Sequence, residues 1–219
     1  RGTLHIGFSG GLDSTALLLA LAQLRTLLTV PLNAVHVNHG AHPDATNWAE
    51  HCQNVCDSLD ISLTQVPPPA HPLPHDSPEA QWRYWRLQAF EELLGEQDVV
   101  CTAHHQQDQA ESLLLALLRS SGPQGLAAMP LVRPLGKGRL ARPFLHLPRA
   151  TLRRFVEQQG VAFIEDPGNR DTRLDRNYLR HEVMPVLNQR WPAAEQSLAT
   201  SAGLFAQLSA LLADEGAVA

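Results

Sequence analysis

The sequence predicts an α/β protein built on a doubly wound, mostly parallel sheet, followed by a helical C-terminal extension. Strand-like apolar runs alternate with helical runs over the first 119 of the 219 residues, which is the pattern of a sheet whose strands are joined by helices. A glycine-rich loop over residues 8–14 joins the first expected strand to the first expected helix. Ligands bind such sheets beyond the carboxyl ends of the strands, so the loops after the strands are where function is expected.

The first four strands and helices follow one another in strict alternation. Strands are expected at residues 4–8, 33–37, 62–66 and 98–103, and helices at residues 14–28, 45–59, 78–94 and 106–119. Ser77 is placed to cap the third helix, and Pro78 to fill its first turn. A proline-rich loop over residues 67–77 leads into that helix.

The remainder of the chain is less regular. A glycine-rich loop is expected at residues 120–125, then a short strand at 139–142 and helices at 148–159, 176–188 and 193–212. The last helix carries an apolar stripe with no obvious core of its own, formed by Leu198, Leu204, Leu208 and Leu211. We expect one catalytic domain over residues 1–190 and a C-terminal helix over 191–219 that leads towards a further domain absent from this chain.

Charge is unevenly distributed along the chain. Residues 1–132 hold 5 basic and 13 acidic side chains, a balance of −8, whereas residues 133–190 hold 12 basic and 6 acidic side chains, a balance of +6. Nearly all basic side chains of the second stretch are arginines, whose guanidinium forks fit phosphates. The stretch is either a phosphate-binding surface or a solvated face with an arginine bias, and the pattern alone leaves both open.

Hydropathy and cysteine content exclude some classes of protein. No apolar run approaches the length of about 18 residues that a membrane helix needs, so no membrane partner is expected. Cys52, Cys56 and Cys101 are expected to be reduced, partly buried thiols of a cytoplasmic protein. The alternative is a zinc site that combines Cys52 and Cys56 with His51.

The loop Ser9-Gly10-Gly11-Leu12-Asp13-Ser14 predicts an anion site. Glycines let the backbone approach a ligand, and a helix that starts here points its N–H groups and its positive end at an anion such as phosphate. No lysine follows the loop, since Lys137 is the one lysine of the sequence. A carboxylate at Asp13 beside a phosphate favours a divalent cation between them, usually Mg²⁺. The alternative is that Ser9 or Asp13 merely caps the helix.

This loop resembles the S-G-G-x-D-S signature of the N-type ATP pyrophosphatases. The resemblance implies an adenine nucleotide alpha hydrolase-like fold that binds ATP, releases pyrophosphate and leaves AMP on an activated oxygen. It implies ATP contacts from residues 9–14 and from His36, Val37 and Asn38, because residues 36–40 match the H-V-x-H-G motif that follows in the family. Taken alone, residues 36–40 also fit an ordinary turn after a strand.

Residues 103–112 follow the fourth strand and place Asp108 and Glu111 on one helical face. They resemble the A-H-H-x-D-D-x-x-E-T motif, except that Gln107 replaces its first aspartate. The resemblance implies a catalytic role for His104 and Asp108, with Asp108 joining Asp13 as a metal ligand. The alternative is that Asp108 caps the helix and Glu111 complements the helix dipole.

The third helix carries Arg83 and Arg86 on one face, with Trp82 and Trp85 on an adjoining face. It resembles the family pattern E-A-x-x-R-x-x-R-Y, with Leu87 in place of the tyrosine. The match implies that Arg83 contacts the substrate. The alternative is a helix whose tryptophans pack and whose arginines are solvated, and for the tryptophans we favour it.

Residues 165–180 resemble the E-D-x-S-N-x-D-x-x-x-x-R-N-x-[IL]-R motif of tRNA(Ile)-lysidine synthetases, with Gly168 in place of the serine. The match implies a catalytic arginine at Arg176. Together with Glu111, it implies that lysine or tRNA contacts come from Glu165, Asp166, Asn169, Asn177 and Arg180. The alternative is a surface salt-bridge network of little energetic weight.

The resemblance to this family implies a reaction in two steps. ATP with Mg²⁺ adenylates O2 of the wobble cytidine of an isoleucine tRNA with anticodon CAU. The ε-amine of free lysine then attacks C2 and expels AMP, and a carboxylate such as Asp108 or Glu165 holds and deprotonates that amine. The longer members add tRNA-binding domains. A cytoplasmic location and a homodimer are further expectations.

Three alternatives are kept beside this function. A tRNA thiolase of the same superfamily requires reactive cysteines, usually in C-x-x-C pairs, and the sequence has no such pair. An amidotransferase-type synthetase shares the first loop but not residues 165–180. A non-catalytic module that binds a nucleotide or tRNA explains Gln107 as decay of the motif. More broadly, another ATP pyrophosphatase of this type acts on a different tRNA or small molecule.

Overall fold

The structure, a computed structural model, describes residues 2–38, 43–71 and 78–216, without the side chains of residues 78–79 and 213–216. The expected cap at Ser77 and the second half of the 36–40 motif, His39 and Gly40, lie outside the described residues. In the described part of the chain, no helix is long and apolar enough to cross a membrane.

The described strands form one six-stranded sheet in the order β3-β2-β1-β4-β6-β5. They are β1 (Leu4–Gly7), β2 (Leu32–Val37), β3 (Ser62–Val66), β4 (Val99–Cys101), β5 (Val132–Leu135) and β6 (Gly138–Ala141). All neighbouring strands are parallel except the β5–β6 hairpin, which confirms the predicted doubly wound, mostly parallel sheet. Strand β5 was not predicted, because Pro134 within it is typical of a loop or an edge strand. It is indeed an edge strand, paired with β6 alone in the described sheet.

The helices largely follow the expected alternation. They are α1 (Leu12–Gln23), α2 (Ala45–Ser58), α3 (Pro78–Leu93), α4 (Gln106–Leu118), α5 (Pro123–Leu126), α6 (Arg149–Gln159), α7 (Asp175–Tyr178), α8 (Met184–Arg190) and α9 (Ala194–Gly216). Short 3₁₀ segments span Arg25–Leu27 and Pro167–Arg170, and a π-helical turn spans Leu179–Val183.

The helices differ from the prediction mainly at three places. Helix α1 ends at Gln23, and a 3₁₀ turn replaces its expected last turn. The glycine-rich loop after α4 contains helix α5, which begins at Pro123. The single helix expected over 176–188 is divided by the π-helical turn, which ends next to Pro185; because proline lacks an N–H donor, the regular hydrogen-bond ladder cannot continue there.

The chain divides into two compact units. The first unit holds residues 1–103, 132–143 and 150–165, and the second holds residues 104–131, 144–149 and 166–219. In the first unit, Phe90 of α3 and Leu94, which directly follows this helix, pack with Val100 and Leu140 of the sheet. The expected domain boundary at residue 190 stays a prediction, although α9 belongs to the same compact unit as residues 166–190.

Helix α9 packs within the second unit, mainly against α4 and α5. Its buried face is formed by small residues, including Ala199 and Ala202. Of the predicted leucine stripe, Leu198 is half-buried, whereas the other three leucines are exposed, with Leu204 60% and Leu211 64% exposed. A helix packed through alanines approaches its neighbour closely, and this explains how α9 joins a core without burying these leucines.

Gly10 controls the shape of the loop after β1. Its φ angle of +81° lies in the left-handed region that favours glycine. The Gly10 carbonyl accepts a hydrogen bond of 2.9 Å from the Ile164 N–H, and Gly11 forms an isolated parallel bridge with Ile164. A Cβ atom at Gly10 would lie 2.5 Å from Ile164 Cδ1 and 3.0 Å from Cys52 Sγ. The loop therefore has no room for a side chain at this position.

We predict that Gly10→Ala lowers the free energy of unfolding by about 1–3 kcal/mol, because it adds backbone strain and overpacks the contact with Ile164. Urea unfolding of the parent and the variant measures the difference. Gly203→Ala is the matched control, since a Cβ atom there meets nothing within 4 Å inside helix α9. The control is expected to gain about 0.5–1 kcal/mol from lower chain entropy. A Gly10→Ala protein as stable as the parent would contradict the close fit.

Candidate active site

The loop of residues 9–14 is held by its own serines. Ser9 Oγ and Ser14 Oγ are 3.1 Å apart, and Ser14 Oγ donates a 3.0 Å hydrogen bond to the Gly11 carbonyl. Gly11 occupies the cap position of α1, so neither Ser9 nor Asp13 is its N-cap residue. The capping alternative is therefore wrong. Helix α1 therefore begins directly after two glycines, and such a helix N-terminus suits an anion. Asp13 lies in its first turn.

The end of β2 supports this loop from beside it. His36 is buried, and its Nδ1 lies 3.0 Å from the Phe8 carbonyl and 3.4 Å from Cys52 Sγ. Burial lowers the pKa of His36, although its bond to the Phe8 carbonyl opposes the shift, so the ring is neutral at neutral pH. The Asn38 N–H donates to the Val66 carbonyl. Contacts of His36, Val37 and Asn38 with adenosine stay a prediction.

The second unit contains a cluster of two acids and two arginines, here called the acid–arginine cluster: Asp108, Glu111, Arg176 and Arg180. Arg180 Nε donates to Glu111 Oε1 at 2.8 Å, and its Nη2 donates to Glu111 Oε2 and to Asp108 Oδ1, both at 3.0 Å. Arg176 Nη2 donates to Ser112 Oγ at 3.0 Å, and Nη1 lies 3.9 Å from Glu111 Oε2. The sequence motifs predicted these four residues separately, and the fold brings them together.

The two acids of this cluster differ in their electrostatics. The Glu111 side chain has no exposed surface, and burial raises its pKa despite the opposing charge of Arg180. Burial also acts to raise the pKa of Asp108, but His105, His104, Arg180 and the His105 N–H together bring it below its ordinary value. The surroundings thus favour the ionised form of Asp108, whereas for Glu111 the charge of Arg180 only partly offsets the effect of burial. With both oxygens used by Arg180, Glu111 acts in this structure as the group that positions the arginine.

Asp108 is not the cap residue of α4 that the alternative interpretation proposed, but it takes part in the capping box at the start of this helix. His105 is the cap residue, and its N–H donates a 2.9 Å hydrogen bond to Asp108 Oδ2, while His105 Nε2 lies 3.4 Å from the same oxygen. The capping role and the cluster role coexist, because Asp108 turns one oxygen to the helix start and the other to Arg180. The sequence analysis assigned no role to His105, and only the capping-box spacing of residues 105 and 108 could have indicated it.

Gln107 has a structural role at the position where the motif carries an aspartate. Its Nε2 donates a 3.1 Å hydrogen bond to Glu195 Oε1 of α9, and Asn188 Nδ2 donates to the same oxygen at 3.2 Å. An aspartate at residue 107 would face Glu195 with a like charge. The departure from the motif therefore fits the packing of α9 in this chain.

Residues 166–181 form a polar turn that is fixed mainly by its own side chains. Asp166 Oδ1 accepts a 2.7 Å hydrogen bond from the Gly168 N–H and caps the 3₁₀ segment. The buried Asn177 donates to the carbonyls of Gly168 and Asp171, at 2.9 and 3.0 Å. His181 Nε2 lies 2.8 Å from the Asn169 carbonyl. In this structure Asp166 and Asn177 shape the turn that leads to Arg176 and Arg180, and their direct contact with a substrate stays a prediction.

Besides Ser9 of the loop, two predicted site residues of the first unit are exposed, namely Arg83 on α3 and Glu165. Trp85 packs against the buried core beside α3, which confirms the packing interpretation for that tryptophan. Trp82 is 36% exposed, so this interpretation does not extend to it. Contacts of Arg83 and Glu165 with a substrate stay predictions.

The residues present fit Mg²⁺ at Asp13, whereas the role of Asp108 as a metal ligand stays a prediction. Mg²⁺ is commonly held by one or two carboxylates together with the phosphates of a substrate. Asp13 is half-buried in the first turn of α1 beside the glycines. Both oxygens of Asp108 already accept hydrogen bonds, one from Arg180 and one from the His105 N–H. Within the described residues, no group of three or more histidines, cysteines and acids is arranged to hold a metal ion.

The three cysteines are buried and free. Burial, with smaller contributions from neighbouring charges, raises the pKa of Cys52 and of Cys56 to about 12. Burial raises the pKa of Cys101 to about 11. All three thiols are therefore protonated at neutral pH, which agrees with the expectation of buried, reduced cysteines.

Known proteins match this chain over nearly its whole length. A family model described as a PP-loop domain matches residues 1–187. The tRNA(Ile)-lysidine synthase of Pseudomonas syringae pv. tomato is 46% identical over 211 residues, which cover 96% of this chain and 47% of that protein. That of Methylococcus capsulatus is 43% identical over 210 residues, covering 96% and 48%. The chain thus spans about half the length of the curated relatives it matches.

A solved structure shares the fold at low sequence identity. The U34-tRNA thiolase NcsA from Methanococcus maripaludis, with its [4Fe-4S] cluster, superposes with a TM-score of 0.74 at 15% identity. The match covers 92% of this chain and 70% of the thiolase. This likeness concerns the fold alone, and it confirms the predicted fold class.

We predict that Arg180→Met lowers the free energy of unfolding by about 3–5 kcal/mol at neutral pH, because it leaves the buried Glu111 carboxylate uncompensated. A buried acid with a raised pKa binds its proton more tightly in the folded state than in the unfolded state. The loss should therefore shrink as the pH falls from about 7 to about 5 and Glu111 becomes protonated. Urea unfolding at the two pH values measures both effects.

Arg173→Met is the control for this variant. Arg173 pairs with Asp171 at the surface, and its hydrogen bond to Asp171 lowers the pKa of that acid to about 2 without burying it. Its replacement should change stability little at either pH. An Arg180→Met loss that is equally small, or that grows as the pH falls, would contradict the electrostatic role of the cluster.

Proposed function

We propose that this chain, which belongs to the PP-loop domain family, forms the ATP-dependent part of a tRNA(Ile)-lysidine synthase. One observation carries the proposal: curated tRNA(Ile)-lysidine synthases match nearly the whole chain at more than two-fifths identity. Because the chain covers about half of those relatives, the activity, the substrates and the partners are proposals for this chain.

The proposed reaction joins lysine to the wobble cytidine of an isoleucine tRNA with anticodon CAU. ATP first adenylates O2 of the cytidine and releases pyrophosphate, and the ε-amine of lysine then attacks C2 and expels AMP. The cytidine must leave the anticodon stack to be reached, since its reacting atoms are otherwise enclosed by neighbouring bases. We place the reaction in the cytoplasm, and the homodimer stays a prediction.

The loop of residues 9–14 suits the triphosphate of ATP. Backbone N–H groups at Gly10, Gly11 and the start of α1 would bind its oxygens, and the positive end of the helix would stabilise the charge that develops on pyrophosphate. Asp13 would hold Mg²⁺, which neutralises phosphate charge when it is bound. His36, Val37 and Asn38, at the end of the neighbouring strand, would lie against adenosine.

The acid–arginine cluster suits the second step. Arg176 and Arg180 offer guanidinium groups to the adenylate phosphate or to the tRNA backbone, and Glu111 holds Arg180 in position. Asp108 is a weak base because its pKa is lowered, so it is better suited to attract the lysine ammonium than to remove its proton. The imidazole of His104 is our candidate for the group that accepts that proton. The exposed carboxylate of Glu165 is a second candidate to bind the ε-amine of lysine.

The cysteines argue against the thiolase alternative. Sulfur transfer by cysteine requires a thiolate, which forms at neutral pH only where the surroundings lower the thiol pKa. The surroundings of Cys52, Cys56 and Cys101 raise it instead. Likeness to the solved thiolase therefore supports a common fold alone.

Nucleoside mass analysis tests the proposed function. The chain is incubated with ATP, Mg²⁺, lysine and an isoleucine tRNA transcript with anticodon CAU, and the RNA is then digested. We predict a cytidine that has gained lysine minus water, formed only when ATP and lysine are both present. AMP and pyrophosphate without this nucleoside would move the substrate to another molecule, and no product of either kind would contradict the enzymatic assignment.

Asp13→Asn links the activity to the loop. Loss of the carboxylate that holds Mg²⁺ should reduce the rate at least about 100-fold. Asp60→Asn is the control, because Asp60 is a fully exposed acid with a positive φ that asparagine also tolerates. Equal product from Asp13→Asn and the parent would contradict the role of the loop.

A further inference from the structure

Four arginines come together in the first unit, and the proposed reaction gives a role to only one of them. We call this group the arginine patch: Arg83 and Arg86 of α3, Arg133 of β5, and Arg142, which directly follows β6. Arg142 is only 3% exposed, Arg86 and Arg133 are half-buried, and Arg83 is exposed. The patch therefore runs from the surface to a buried charged group.

The packing of α3 on the sheet explains why these residues meet. Leu94, just after the end of α3, lies beside Gly138 at the start of β6, so α3 and β6 run in opposite directions. The end of β6, followed by Arg142, therefore points back towards the first half of α3. Arg142 lies about 13 Å along the strand from Gly138, a length that equals about nine residues of helix. Counting back nine residues from Leu94 brings Arg142 near residues 83–86.

The register of the hairpin places Arg133 on the same face. Arg133 pairs with Leu140 across the β5–β6 hairpin, and directly paired residues project to the same side of a sheet. Leu140 packs in the core beside Phe90 and Leu94, so that side is the one covered by α3. Arg139 is the next residue along and projects to the opposite face. The hairpin therefore offers one arginine to the patch and one away from it.

The electrostatics of Arg142 agree with this placement. Burial, with smaller contributions from the charges of Arg133, Arg83 and Arg86, lowers the pKa of Arg142 to about 10. Arg142 still carries its charge at neutral pH. Several guanidinium groups gathered at one place suit an anion with several oxygens, because each planar fork can donate a pair of hydrogen bonds to it.

We propose that the arginine patch binds phosphodiester groups of the RNA substrate. The proposal rests on the proposed function, because it assumes that an RNA is bound. The patch lies at the carboxyl end of β6, where ligands of parallel sheets bind, and the Thr102 N–H beside it bonds the Ala141 carbonyl. Strand β4 separates β6 from β1, so the patch is about 10 Å across the sheet from the strand that carries the triphosphate loop. Phosphates of a second molecule suit this position better than those of ATP.

Binding of a short RNA hairpin with the anticodon stem-loop sequence tests the patch in the intact chain. Arg133→Ala and Arg86→Ala should each weaken binding about tenfold at low salt and reduce the slope of log affinity against log salt by about one. Arg139→Ala is the matched control, since it removes the same charge from the same hairpin on the other face, and it should change affinity less than twofold. A scrambled hairpin should show the same losses, because phosphate contacts carry no sequence information.

The outcomes separate this inference from the proposed function. A parent chain that forms lysidine while Arg133→Ala and Arg139→Ala bind RNA equally well would overturn the patch and leave the function standing. A parent chain that forms no lysidine, with RNA binding weakened only in the patch variants, would overturn the proposed function and leave the patch standing. Unchanged RNA binding with a raised KM for ATP in Arg133→Ala would assign the patch to the nucleotide and overturn the proposal, as would a parent chain that binds no RNA at low salt.

Discussion

The hydrogen bond from the Ile164 N–H to the Gly10 carbonyl is the constraint on which the candidate nucleotide site depends. It holds the loop after β1 in a left-handed turn that only glycine accommodates, with Ile164 and Cys52 filling the space where a side chain would be. His36 fixes the other side of the loop through the Phe8 carbonyl. With the backbone held on both sides, its N–H groups are oriented before any ligand arrives, and this lowers the cost of binding a phosphate.

The second unit is organised around buried charged side chains, whereas the candidate nucleotide site of the first unit depends on the shape of a backbone loop. Glu111 is fully enclosed and paired with Arg180, whose charge opposes the rise that burial causes in the Glu111 pKa, while Asp108 divides its two oxygens between a helix start and the same arginine. Removing either partner leaves a charge in a medium that solvates it poorly. Such pairs contribute little net stability, but they orient the guanidinium group. The value of the cluster is therefore positional: it fixes the arginines that the proposed reaction requires.

The sequence predicted the elements that local pattern controls and missed those that depend on distant partners. Strand β3 has the expected bounds, because its apolar run is flanked by clear breaks. Strand β5 was missed because Pro134 conceals an edge strand, and the turn before Pro185 was missed because helical periodicity continues through it. The site residues were recognised from motifs, but the contact of Arg180 with Asp108 spans 72 residues of sequence. No spacing rule predicts that contact, and likewise none predicts that Arg83 and Arg142 lie together.

In the proposed function, the loop of residues 9–14 drives transfer of the adenylyl group from ATP to RNA before lysine reacts. Exchange of labelled pyrophosphate into ATP measures that step directly, because it reports the reversible formation of an adenylate. We predict exchange that requires the CAU-anticodon tRNA and proceeds without lysine. Exchange that requires lysine and proceeds without tRNA would show that the amino acid is adenylated instead, and it would contradict the proposed function.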